Sequence, residues 1–110
     1  LIELAEVTKH ATRRTRKRLG IPKSAVGANA ERALKFGVHR TQTKTSLRRY
    51  LDGVYKTYPP VNNIRVYNRH VYIFDNDILI TVFPLPNKYH AVADNLEKKL
   101  NNEKGERNDG

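Results

Sequence analysis

Residues 62–86 read NNIRVYNRHVYIFDNDILITVFPLP, and the fold turns on how this stretch divides. Aliphatic side chains recur at every second position: Ile64 and Val66, Val71 and Ile73, then Ile78, Ile80 and Val82. A period of two marks β-strands. Asn68-Arg69 and Asn76-Asp77 fall at the breaks, as two-residue hairpin turns. Three antiparallel strands follow. With both turns that tight, the aliphatics share one face, and Arg65, Tyr67, His70, Tyr72, Phe74, Leu79, Thr81 and Phe83 share the other. Pro84 and Pro86 end the sheet. A guanidinium, an imidazole, phenols and a hydroxyl on one face raise the question of what that face does.

Upstream the period lengthens to that of a helix. IELAEV (2–7) reads as a short first strand. Thr8 then caps KHATRRTRKRL, which stops at Gly20. Pro22 opens KSAVGANAERALKF, with Ala25, Val26, Ala30, Ala33, Leu34 and Phe36 on its core side and Gly37 closing it. The polar connection VHRTQTKT leads to SLRRYLDGVYKTY, where Leu47, Tyr50, Leu51, Val54 and Tyr58 recur at helical spacing until Pro59 and Pro60. Residues 87–96 read as a short helix and EKKLNNEKGERNDG as a flexible tail. The predicted architecture is α+β: the N-terminal helices pack on one face of a three- to four-stranded antiparallel sheet. One domain spans residues 1–96, with the tail at 97–110.

A chain of 110 residues, 38% apolar, supports one modest core. No run of about 18 apolar residues predicts a membrane span, and LIELAEVTKH lacks the charge and apolar run of a signal peptide. Without Cys there is neither disulfide nor thiolate ligand. Charge is unevenly placed. Residues 1–58 hold 14 Lys or Arg against 4 Asp or Glu, whereas residues 59–96 hold 3 of each sign and residues 97–110 hold 4 of each. An excess confined to one half reads as the footprint of a polyanion, with nucleic acid the leading partner. The basic segments lack the Trp, Phe and Leu face of an interfacial helix, so a membrane is not the expected partner.

Two constellations bear on chemistry. His10, Arg14 and Arg18 are spaced i, i+4, i+8, with Arg13 and Lys17 alongside. Such like charges repel by a few tenths of a kcal/mol per pair, on the order seen in peptides, and a bound anion relieves them. A solvated helix face is the plainer reading. On the sheet, Arg65, Tyr67, His70 and Tyr72 combine a phosphate fork, a proton carrier and stacking rings, the last worth about 1–3 kcal/mol per RNA base. A layer over Phe74, Leu79 and Phe83 would leave the end near Arg65, Tyr67 and Tyr72 open. No His/Asp/Glu cluster has metal spacing and no glycine pattern binds a nucleotide. Metal-free phosphodiester cleavage is what these residue types can perform: a base for the ribose 2′-OH, an acid for the leaving 5′-oxygen, and cations for the phosphorane.

VTKHATRRTRKRLG, and the strands of residues 62–86, resemble the start and the closing sheet of the barnase/EndoU/colicin/RelE group of metal-independent RNases. These include toxin-type domains of toxin–antitoxin and contact-dependent inhibition systems. The resemblance covers most of residues 7–86 and implies a RelE- or colicin-D-like fold cleaving tRNA or mRNA by 2′-OH transesterification, without a cofactor. It makes His10 the helix-borne acid or base, Arg14 a phosphate contact within the catalytic group, and Arg18 a further one. Thr81 would lie at the active cleft, and Tyr67 or Tyr72 would stack a base or pass a proton. His39 and His70 are candidates for the second proton carrier. No Asp or Glu takes the place of a barnase-type carboxylate. A toxin of this type implies an acidic antitoxin or immunity protein, and action in the cytoplasm, its own or that of a target cell. The alternatives are a non-catalytic RNA- or ribosome-binding protein, and a DNA-binding helix-turn-helix formed by the second and third helices. The connection from Gly37 to Thr43 is long for such a turn.

Overall fold

The structure is a computed structural model that describes residues 6–7, 17, 20–57 and 63–109. Among the described residues, five strands form one sheet: β1 (Glu6–Val7), β2 (Val38–His39), β3 (Asn63–Tyr67), β4 (His70–Asp75) and β5 (Ile78–Pro84). Their spatial order is β1-β5-β4-β3-β2. Among the described residues, three helices with described bounds accompany them: α1 (Lys23–Phe36), α2 (Thr45–Thr57) and α3 (His90–Asp109). Single 3-10 turns at Arg40–Gln42 and Asn87–Tyr89 precede α2 and α3. The fold is α+β, as the sequence predicts.

Its local causes are readable. Pro22 stands at the N-cap of α1, where its missing N–H costs nothing. Gly37 ends that helix with its N–H on the Ala33 carbonyl, in extended rather than left-handed backbone. A Cβ there would collide with the Ala33 carbonyl oxygen and lie 3.1 Å from the Cβ of Arg65, so close approach explains this glycine. Asn68 and Arg69 both take positive φ, 49° and 63°, as a type I′ hairpin turn requires.

β2 to β5 run antiparallel in sequence neighbours' fashion, with Arg65 opposite Tyr72 and Tyr67 opposite His70. β1 instead pairs parallel with β5. The two faces differ from the expectation in three respects. First, the helices divide between them. Val26, Ala30 and Ala33 of α1 bury Tyr72, Phe74, Leu79 and Val82 on one face. Leu47 and Leu51 of α2, with Ala93 of α3, cover Ile64, Val66, Val71 and Ile73 on the other. α1 and α2 are thus separated by the sheet, an arrangement that forms no helix-turn-helix.

Second, β5 carries an irregularity. Ile73 pairs with Thr81 but Phe74 pairs with Leu79, leaving Ile80 without an opposite residue. One extra residue reverses the faces beyond it. Val82 therefore joins Tyr72 and Phe74 under α1, while Thr81 and Phe83 turn to the α2/α3 side. Third, α3 continues to Asp109, through the segment read as a flexible tail. Ala93, Leu96 and Leu100 pack on the core, and Glu97 accepts the Asn68 N–H at 3.0 Å. Those apolar side chains at helical spacing hold the continuation in place. Among the described residues, no helix is long and apolar enough to cross a membrane.

Candidate nucleic-acid interface

β2 is the short edge strand beside β3, and it places His39 directly across from Arg65. Its neighbour Val38 is buried opposite Val66, so strand alternation puts the imidazole on the α1 face, at the margin where that helix ends. The His39 ring then caps the following 3-10 turn. Its Nδ1 accepts the Thr41 backbone N–H at 3.1 Å and the Thr41 hydroxyl at 2.7 Å. Gln42 Oε1 accepts the His39 backbone N–H at 2.9 Å, completing a reciprocal capping box. With Nδ1 accepting, the neutral ring carries its proton on Nε2. Burial, reinforced by the charges of Arg65, Arg40 and Arg48, holds the His39 pKa below its ordinary value.

The cations around it are fixed to different degrees. Arg65 is half-buried: its Nε donates to Asn63 Oδ1 at 3.0 Å and its Nη1 to the Gly37 carbonyl at 3.3 Å. Burial makes its charge less favourable than in water. Arg40 Nη1 lies 2.7 Å from Asp52 Oδ1, and Arg48 Nε lies 3.0 Å from the same oxygen. Those bonds hold the Asp52 carboxyl below its usual pKa. The Arg40 guanidinium also sits 4.2 Å from the ring centre of Tyr55, which is 38% exposed. From Val38 to Thr57, Arg40, Lys44, Arg48, Arg49 and Lys56 face Asp52 as the one acidic residue. A net positive corner with an aromatic ring in it results.

Of the residues singled out from the sequence, His10, Arg13, Arg14 and Arg18 lie outside the described residues. Lys17 is helical and exposed. Tyr72 is a correction: at 1% exposure it is buried under α1, stacked 6.3 Å from Phe74, and burial pushes its phenol up to about 12. It offers no surface to a base. Tyr67, 6.4 Å from Tyr72, is partly buried against the same cluster. His70 stays partly exposed, its Nδ1 bound to the Asn68 carbonyl at 2.9 Å. Arg69 is committed to Asp94, with Nη2 at 2.8 Å from Oδ2.

Thr81 is the second correction. It is 3% exposed, on the face opposite Arg65, and its Oγ1 has no hydrogen-bond partner among the described residues. An unpaired buried hydroxyl costs free energy, so Thr81→Val is expected to raise stability by about 1 kcal/mol. Urea unfolding would measure the change. A stability loss of that size would mean that the hydroxyl is satisfied after all.

Comparison with family models, curated proteins and solved structures finds no match to this chain. The resemblance to the RNase group therefore rests on the short stretches that suggested it. His39 as a structural centre is what the sequence reading underweighted. The signal was present in Val38-His39, an apolar–polar alternation inside a connection read as merely polar.

Proposed function

We propose that this protein binds RNA in the cytoplasm through the corner formed by β2, the 3-10 turn and the start of α2. His39 at the meeting point of Arg40, Arg48 and Arg65 is the observation that carries the reading. Cations gathered around an imidazole whose charged form they disfavour are relieved by a phosphate, and Tyr55 adds an aromatic surface. Residues 1–58 hold the whole of the net charge, in keeping with a polyanion as the partner.

Endonucleolytic cleavage is a second reading, favoured by the His39–Arg65 pair. Protonated when a bound phosphate raises its pKa, the His39 imidazolium can give its Nε2 proton to a leaving 5′-oxygen and return to the neutral ring, and the guanidinium beside it can hold the phosphoryl oxygens. His10 would then supply the base that takes the 2′-OH proton. An acidic antitoxin-like protein would compete for the same corner.

Fluorescence anisotropy of a labelled single-stranded RNA tests the binding, with intact RNA after incubation in EDTA separating binder from nuclease. The pH dependence is specific. Phosphate raises the lowered pKa of His39, so binding takes up a proton. Affinity is expected to rise as pH falls below about 6.5, the ordinary His value. His39→Asn, which keeps a capping oxygen for Thr41, should flatten that rise. The fold responds in the opposite sense. A lowered folded-state pKa means that the stabilisation from neutral His39 is present above the unfolded value and is lost as pH falls through the folded one. Equal affinity at low and neutral pH would remove His39 from the interface.

A further inference from the structure

A cleft of about 190 Å³ opens beside this corner, lined by Phe36, Gly37, Gln42, Arg65, Leu100, Asn101 and Glu103. It joins the end of α1, the 3-10 turn and the later part of α3. We propose that it receives one unpaired nucleobase carrying an exocyclic amino group, so that RNA binding at the corner becomes base-selective. The inference rests on the RNA-binding reading and deepens it.

Three observations carry it. Phe36 is 44% exposed, although it ends a helix whose Val26, Ala30 and Ala33 are buried in the core. Its ring is a ready stacking surface. Arg65 belongs both to the cleft and to the cationic corner, so a base in the cleft and a phosphate at the corner fit one nucleotide. The α3 side of the cleft is the opposite in character. Glu103 brings a carboxylate, and Asn101 Oδ1 is buried without a hydrogen-bond partner among the described residues, its Nδ2 donating at 3.4 Å to the Phe36 carbonyl.

Acceptors there repel phosphate and call for N–H donors. Gln42 gives its Oε1 to His39 and keeps its Nε2 as a donor. A base with an amino group beside a ring nitrogen matches both kinds of group. Uracil does not, because carbonyl oxygens flank its single N–H and would face the Glu103 carboxylate.

The test uses uridine octamers with one central position varied. Adenosine is compared with purine riboside, guanosine with inosine, and cytidine with its 4-deamino analogue (pyrimidin-2-one riboside), each pair differing only by the presence of the amino group. The protein is expected to bind at least one amino-bearing member about fivefold tighter than its partner, the lower end of base discrimination by side chains. Which pair shows the gap identifies the base. Phe36→Ala and Glu103→Ala should each shrink that ratio, whatever they do to overall affinity. Equal affinities within all three pairs, with the octamers still bound, overturn the proposal and leave RNA binding standing. Octamers that fail to bind at low salt overturn the RNA-binding reading, and this inference with it.

Discussion

Phe74→Ala is expected to remove about 3–5 kcal/mol of stability, the usual cost of deleting a buried phenyl ring. Phe74 is fully buried between the sheet and the small side chains of Val26, Ala30 and Ala33. Alanines on α1 let the helix come close, so the large rings of Tyr72 and Phe74 fill the space between, and little can collapse into a cavity left there. Against a typical total of about 5–15 kcal/mol, such a loss approaches unfolding. Guanidinium or thermal unfolding would read it directly. A loss below about 1 kcal/mol would mean that the face is open and that α1 does not cover it.

The second large effect concerns affinity. Combining Lys44→Ala, Arg48→Ala and Arg49→Ala should weaken binding to every single-stranded RNA alike, because phosphate contacts carry no sequence information. It should also flatten the salt dependence. Each phosphate contact on a single strand contributes about 0.7 to the slope of log K against log salt, so three lost contacts reduce it by about 2. Lys44 and Arg49 are exposed and Arg48 partly so, and Asp52 keeps Arg40 as its partner, so the fold should be little affected. An unchanged slope would move the RNA-binding surface elsewhere, with the segment holding His10, Arg13, Arg14 and Arg18 the next to test.

Punctuation residues made much of this fold legible. Pro22 and Gly37 bracket α1, and Asn68-Arg69 and Asn76-Asp77 set two hairpins where expected. Alternation on β3 and β4 sorted Ile64, Val66, Val71 and Ile73 from Arg65, Tyr67 and Tyr72 correctly. It failed on β5 because Ile78-Leu79-Ile80-Thr81-Val82-Phe83 is apolar on both sides. In a strand covered from both faces, shifting by one residue exposes nothing, so pattern alone does not register a bulge. The same cause hid the cover on Tyr72. An aromatic row reads alike whether it awaits a ligand or a helix, and only the Ala face of α1 pointed to the second. The cationic corner was legible as charge but not as place, since Arg65 and Arg40 come to flank His39 only after β2 pairs with β3.

The parallel contact of β1 with β5, which sets Glu6 beside Ile78 and Val7 beside Leu79, has a consequence for assembly. Hairpins β3–β4–β5 close short loops and can form early, whereas joining β1 to β5 encloses most of the chain and comes late. Until then the start of the β5 edge, at Ile78 and Leu79, stands open as a template for another copy's strand. Pairing with β1 thus closes the start of that edge to another copy. Losing it should show first as concentration-dependent aggregation during refolding, before any change in the finished fold.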